Sequence, residues 1–379
     1  MMSSRPINVL HVVGARPNFV KVAALMHAMA AKKKVFQQTL VHTGQHYDPL
    51  MSDIFFHQLE MPVPDIYLDV GSGTHAVQTA LIMQRFESVV LDRKPDWVVV
   101  VGDVNSTLAC ALVCAKIGVR VAHVEAGLRS FDRGMPEEIN RVLTDQVSDL
   151  LLTSEEIAQE NLLREGIPSQ KIHFVGNVMI DTLTRLLPLT EGRSVLRDLG
   201  LDVDKQVKPF VLVTLHRPSN VDDPSVLLEI ASALSALAKN ITVIFPVHPR
   251  TRERFAGLDQ SMSLGQTQLI EALGYLDFLA LERQAALVVT DSGGIQEETT
   301  FLGVPCLTVR PNTERPVTIS QGTNRLVEPI AEKILAAAHL ALEKTKTTPR
   351  KKPSLWDGHA AKRIVDVLRQ ENEAAEAGR

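Results

Sequence analysis

The chain has 379 residues and a formal net charge of −4, with 40 basic and 44 acidic side chains mixed along its length. That length predicts two domains, and the absence of a basic excess excludes nucleic acid as a natural partner. No apolar run approaches the roughly 18 residues of a membrane helix, and only 4% of residues are aromatic, so Val, Leu, Ile and Ala must build the cores.

Met1 to Pro6 leads directly into Ile7-Asn8-Val9-Leu10-His11-Val12-Val13, a buried strand rather than a signal peptide, which predicts a cytoplasmic protein. Further strands are predicted at 37–43, 97–101, 119–123 and 149–153, with helices near 18–33, 74–92, 105–117 and 137–148. Cys110 and Cys114 lie four apart in the third of these helices. With no His or Cys pair nearby they read as helix packing rather than a metal site. Residues 186–208, containing Pro188, Gly192 and Gly200, are expected to form a hinge. Beyond them strands are predicted at 209–214, 241–246, 286–290 and 304–309, and helices near 224–238, 275–283, 294–302 and 329–343. The basic stretch Lys344 to Pro353 is either a phosphate-binding patch or a solvated loop, and a last helix is expected over 358–377. The repeated β-then-α rhythm predicts an α/β protein of two doubly wound parallel sheets. Such sheets bind ligands outside the carboxyl ends of their strands. The chemistry is therefore sought in the loops that follow strands, along a crevice shared by the two domains.

The first such loop is Gly14-Ala15-Arg16-Pro17-Asn18. Arg16 and Lys21 place two cations at a helix N-terminus, where they oppose the helix dipole. They either meet a bound anion or are solvated. After the strand at 97–101, Asp103 either caps the next helix or faces the crevice as a proton acceptor. Glu125, in His123-Val124-Glu125-Ala126-Gly127-Leu128-Arg129, must be paired or protonated if buried. It either pairs with Arg129 or acts as an acid/base group. Pro136-Glu137-Glu138-Ile139-Asn140-Arg141 opens a helix in which Glu137 and Arg141 share a face. His216 and Arg217 follow a strand and either neutralise a phosphate or sit in solvent, while His248, between two prolines, reads as structural. Thr290-Asp291-Ser292-Gly293-Gly294-Ile295-Gln296-Glu297-Glu298 runs from a strand through two glycines into a helix. That pattern cradles phosphate on backbone N–H groups and places Glu298 where it can accept hydrogen bonds from ribose hydroxyls. Arg310 and Arg315 follow the next strand and reach toward the same phosphates.

Taken together, the 123–129, 136–141 and 290–298 segments and Thr313-Glu314-Arg315-Pro316 resemble the non-hydrolysing UDP-N-acetylglucosamine 2-epimerases, a likeness that covers nearly the whole chain. The resemblance implies a glycosyltransferase-B-like fold of two Rossmann-like domains facing each other across a cleft. Expected boundaries are 1–187 for the domain carrying acid/base residues, 188–353 for the UDP-binding domain, and 354–379 for a helix packing back onto the first. It also implies an isomerase that interconverts UDP-GlcNAc and UDP-ManNAc at C2 through 2-acetamidoglucal, without metal or nicotinamide cofactor, as a homodimer feeding cell-surface polysaccharide synthesis. Carried over by motif, Asp103, Glu125 and Glu137 are the acid/base residues. Arg16, Lys21, Arg141, His216 and Arg315 stabilise the diphosphate. Ser292, Gly293 and Gly294 hold phosphate, Glu298 the ribose, and Leu273 and Phe278 the uracil.

Five positions depart from the family pattern. Asn18 stands where many members have Glu, Pro218 where many have a second Arg, and Val317 where Glu is usual. Tyr47-Asp48 replaces the Arg-Glu with which bacterial members help bind a second, activating UDP-GlcNAc. All three acids are kept. Other readings are a 2-epimerase of a UDP-2,3-diacetamido-glucuronate type of sugar, a UDP-sugar glycosyltransferase on the same fold, and a nucleotide-sugar binder without catalysis.

Overall fold

The computed structural model describes residues 5–45, 56, 58–247, 249–256, 264–343 and 352–377. The chain divides into two compact units, Met1–Arg185 with Ser354–Arg379, and Leu186–Pro353.

In the first unit, strands β1 (Ile7–Val13), β2 (Phe36–His42), β3 (Ile66–Tyr67), β4 (Trp97–Val101), β5 (Arg120–Ala126), β6 (Leu150–Thr153) and β7 (Ile172–Phe174) form one sheet. Their order is β3-β2-β1-β4-β5-β6-β7, and every pairing is parallel. The sequence of β4 is Trp-Val-Val-Val-Val, buried throughout, as expected of a strand covered on both faces. The helix Asn105–Ile117 packs with small residues, Ala109, Cys110, Ala111 and Cys114, against Val98, Val100 and Phe86. Strand order reverses between β1 and β4, so their carboxyl ends form a topological switch point. The last helix, Ala360–Ala377, belongs to this unit. Both oxygens of Asp181 accept from its first amides, Ala360 N at 3.0 Å and Ala361 N at 2.7 Å, as a carboxylate at a helix start should.

In the second unit, β8 (Asp202–Val203) and β9 (Gln206–Val207) form an antiparallel hairpin. Strands β10 (Phe210–Thr214), β11 (Thr242–Val247), β12 (Gln268–Glu271), β13 (Leu287–Thr290), β14 (Cys306–Val309) and β15 (Asn324–Val327) make the sheet β12-β11-β10-β13-β14-β15. These pairings too are parallel. The stretch 186–208 begins where the second unit begins and contains the short helix Val195–Asp198 and the hairpin. Val195 and Leu201 are buried with Phe210 and Leu281, so apolar burial holds it to this unit. Strands β3, β7, β12 and β15 lie at sheet edges. Being short and half-buried, they carry no apolar run for a sequence reading to find.

Among the described residues no helix is long and apolar enough to cross a membrane.

Candidate active site

In the first unit, the loops after β1, β4 and β5 converge. Asn18 Oδ1 accepts from Gly14 N and Ala15 N, each at 3.1 Å, and its Nδ2 donates to Val101 O at 2.9 Å. Asn18, one of the departures, thus ties the first loop to the end of β4. Gly14 is required for space: a Cβ there would lie 2.2 Å from Ser106 Oγ. From the helix Arg16–Ala30, Lys21 reaches Glu125 at the end of β5 and forms an ion pair with it. Both side chains are almost fully buried. Arg129, the partner considered from sequence, turns instead to Glu165, at 2.6 and 2.8 Å, and to Asp145 at 2.7 Å.

Glu125 sits at φ +72°, where the register between β5 and β6 shifts. A β-bulge re-aims a side chain, and a non-glycine residue in left-handed backbone stores strain of the sort found at functional sites. Gly102, at φ +70°, lies alongside: a Cβ there would be 3.3 Å from Glu125 Oε2 and 3.5 Å from Lys21 Nζ.

Asp103 does not cap the helix Asn105–Ile117, whose N-cap position is Val104 without a side-chain cap. Its carboxylate, 29% exposed, pairs with Arg141, and Asn140 Nδ2 donates to its backbone carbonyl at 2.8 Å. Pro136 begins the helix Pro136–Val147 as the sequence implied. Within that helix Arg141 pairs with Glu138 at 2.7 Å, not with Glu137. Burial opposes ionisation of Glu138, but donation from Ser130 N and Arg141 holds its carboxyl below the ordinary range. Glu137 is half-buried.

In the second unit, the loop after β10 is organised by Asp291, which is fully buried. Its oxygens accept from His216 N at 3.1 Å, Arg217 N at 2.9 Å and Asn220 Nδ2 at 3.1 Å, and lie 3.0 Å from His216 Nδ1. Burial opposes its ionisation, yet these partners hold its carboxyl below the usual range. The His216 side chain is 59% exposed, so Asp291 fixes one ring nitrogen and leaves the other facing outward. Pro218 opens the short helix Pro218–Val221, which gives this departure a local role.

Ser292 precedes the helix Gly293–Leu302 without capping it by its side chain. Arg315 lies over that N-terminus: a Cβ on Gly293 would be 2.5 Å from its guanidinium. Arg315 also pairs with Glu297 at 2.7 Å and with Glu314. A helix N-terminus without a side-chain cap, with the Arg315 guanidinium over it, is the kind of arrangement that suits an anion. Gly294 is half-buried, as are Leu273 and Phe278, and the latter two pack beside the core around Phe210 and Leu281. Glu298 is buried, with Tyr275 Oη donating to its Oε1 at 2.5 Å. Burial pushes its carboxyl up to about 7. Burial and neighbouring Glu298 push Glu282 well above the ordinary range.

Asp291, Asp145, Glu138, Tyr275 and Glu282 are not marked as functional by the sequence. Asp291 and Glu138 lay inside motifs already singled out. The others carry no local signal, because their roles depend on burial. The side chain of Arg16, residues His46, Tyr47, Asp48 and His248, and residues 344–351 lie outside the described residues.

The model of the UDP-N-acetylglucosamine 2-epimerase family matches residues 28–369. A UDP-N-acetylglucosamine 2-epimerase from Methanocaldococcus jannaschii is 43% identical over 366 residues, covering 94% of this chain and 97% of the relative. A UDP-2,3-diacetamido-2,3-dideoxy-D-glucuronate 2-epimerase from Pseudomonas aeruginosa is 42% identical, covering 96% and 99%. The crystal structure of the Methanocaldococcus jannaschii enzyme in complex with UDP-GlcNAc and UDP superposes with a TM-score of 0.87, covering 96% of this chain and 99% of that one. The UDP-GlcNAc 2-epimerase from Neisseria meningitidis bound to UDP-GlcNAc, 30% identical, gives 0.86, covering 96% and 99%. These relatives have the glycosyltransferase-B-like fold, and the two parallel α/β units described above are of that class. The chain belongs to the UDP-N-acetylglucosamine 2-epimerase family of isomerases.

Proposed function

We propose that this protein interconverts UDP-GlcNAc and UDP-ManNAc by inverting C2, through elimination and re-addition of UDP. The C2 hydrogen is not adjacent to a carbonyl. Its loss becomes feasible when the C1–O bond to UDP breaks with it. A base takes the C2 proton, the C–H electrons form the C1=C2 bond of 2-acetamidoglucal, and UDP leaves with the C1–O pair. A proton then arrives at C2 on the opposite face and a UDP oxygen re-adds to C1. Two acid/base groups are needed, and Asp103, Glu125 and Glu137 of the first unit are assigned to supply them. The observation that carries this reading is Glu125, a glutamate held at φ +72° on a bulge and paired with buried Lys21.

The second unit is assigned the nucleotide. Gly293, Gly294 and Ser292 hold phosphate with backbone groups, Arg315 and His216 stabilise the UDP anion, Glu298 takes the ribose, and Leu273 and Phe278 the uracil. Arg16, Lys21 and Arg141 supply further positive charge. As Glu298 is now bonded by Tyr275, ribose binding on this reading requires Glu298 to exchange that partner or use its other oxygen.

The test is incubation with UDP-GlcNAc in D2O, followed by NMR. UDP-ManNAc carrying deuterium at C2 is expected, and product without deuterium rules the mechanism out. Because the Pseudomonas aeruginosa relative is 42% identical, UDP-2,3-diacetamido-glucuronate is the competing substrate. A larger kcat/KM for it reassigns the sugar. Turnover that requires an added acceptor marks a glycosyltransferase instead.

The same proposal places the protein in the cytoplasm, in keeping with three buried free cysteines, as a homodimer feeding cell-surface polysaccharide synthesis. Phe131, Ile139 and Leu143, exposed by 71, 41 and 46%, line one groove on the first unit and support pairing with a second copy. Light scattering at the monomer mass counts against that assembly.

A further inference from the structure

Behind the acids of the first unit lies a network that the proposed chemistry does not use. His123 and Asp145 are completely buried and Arg129 nearly so. His123 Nδ1 lies 2.6 Å from Asp145 Oδ1, and its Nε2 lies 2.8 Å from Gly102 O. A carbonyl only accepts, so Nε2 carries the hydrogen there. Asp145 Oδ2 accepts from Gly127 N at 3.1 Å and lies 2.7 Å from Arg129. Burial opposes ionisation of Asp145, but His123 and Arg129 hold its carboxyl below the ordinary range.

The contacts fall on particular atoms. Gly102, whose carbonyl His123 holds, is the residue before Asp103. His123 and Gly127 stand two residues to either side of Glu125, so one carboxylate bridges the bulge that contains it. Gly127 is itself constrained: it has φ +80°, a Cβ on it would lie 2.4 Å from Ala158 O, and Asn161 Nδ2 donates to its carbonyl at 3.0 Å. Buried ion clusters seldom stabilise a fold more than apolar residues of similar volume. A cluster that grips the backbone on both sides of a strained glutamate is better accounted for by what it orients.

We infer that Asp145 is a positioning residue for the epimerisation: through His123 and Gly127 it fixes the backbone that aims Glu125 and Asp103. The inference rests on the reading of those two acids as the proton-transfer groups. Asp145 is completely buried, behind the groups it would orient. Its loss therefore acts on turnover rather than on nucleotide affinity.

The experiment compares wild type, Asp145→Asn and Glu165→Gln in the UDP-GlcNAc/D2O assay, with UDP affinity by calorimetry and folding by circular dichroism. Asparagine keeps the shape but removes the carboxylate that balances Arg129 and accepts at His123 Nδ1. For Asp145→Asn, deuterium incorporation is expected to fall about 100-fold, as small misplacements of reacting groups do, with KM and UDP affinity little changed. Glu165→Gln, which removes only the outer partner of Arg129, is expected to retain turnover. If Asp145→Asn does not fold, His123→Gln takes its place, since glutamine offers a donor toward Gly102 without the imidazole contact to Asp145; the same readouts apply. A folded variant with wild-type kcat overturns the proposal, and so does one whose loss lies in KM alone. Wild-type protein that incorporates no deuterium overturns the epimerase reading, and this proposal with it.

Discussion

Lys21 and Glu125, 104 residues apart in sequence, form an ion pair whose side chains are only 6% and 5% exposed. A buried charge needs its partner: removing one side of such a pair costs about 3–5 kcal/mol. Lys21→Met is therefore expected to destabilise the protein by about that amount. Urea melts of the two proteins measure it, and a loss below about 1 kcal/mol, the range of surface pairs, contradicts the buried arrangement.

Glu125→Gln keeps the size of the side chain and removes its ability to take a proton. General acid–base groups contribute roughly 10²–10⁴-fold, and deuterium wash-in at C2 should fall by about that factor. UDP affinity, assigned mainly to residues of the second unit, is expected to persist. Turnover surviving in this variant moves the acid/base role to Asp103 and Glu137.

Asp291 accepts from the amides of His216 and Arg217 and from Asn220. Leaving buried donors without an ionised acceptor costs about 1–3 kcal/mol. Asp291→Asn is expected to loosen the loop that carries His216 and to weaken UDP binding by about 10-fold or more. Calorimetry with UDP checks this. Unchanged affinity would detach His216 from the diphosphate.

The carboxyls of Glu298 and Glu282 give stability a pH dependence whose sign is fixed. Glu298 rises from an ordinary 4.5 to about 7 in the folded protein, and Glu282 is raised as well. Between about 4.5 and 7 the native state then holds protons that the unfolded chain has released. Stability should consequently fall as pH rises through this window. Glu282→Gln removes one of the two coupled acids, so it is expected to stabilise the protein at pH 8 and to make little difference near pH 4.5. Denaturant titrations at the two pH values decide it, and a variant less stable at pH 8 refutes the sign.

Gly293 lies beneath the Arg315 guanidinium with no room for a Cβ. Gly293→Ala must push Arg315 away from the helix N-terminus. UDP binding should weaken by about 10-fold or more, since charge-assisted hydrogen bonds are worth roughly 1.5–3 kcal/mol. An alanine variant that binds UDP as wild type does would place the phosphate elsewhere.

The sequence by itself determined the α/β alternation, both parallel sheets in outline and the loops that carry chemistry. Short, β-branched apolar runs such as Ile7–Val13, Trp97–Val101 and Phe210–Thr214 read as buried strands, and the motif residues directly follow such strands. What only the tertiary structure decided was the partner of each charge. From sequence Asp103 could either cap a helix or face the crevice, and Glu125 either pair with Arg129 or act as an acid/base group; in the structure Asp103 pairs with Arg141 and Glu125 with Lys21. The edge strands and the roles of Asp145, Asp291 and Glu282 belong to the same class. Side-chain periodicity reports which way a residue faces within its own element. Ion pairing and desolvation depend on distances between elements far apart in the chain, and those are set only when the sheet assembles.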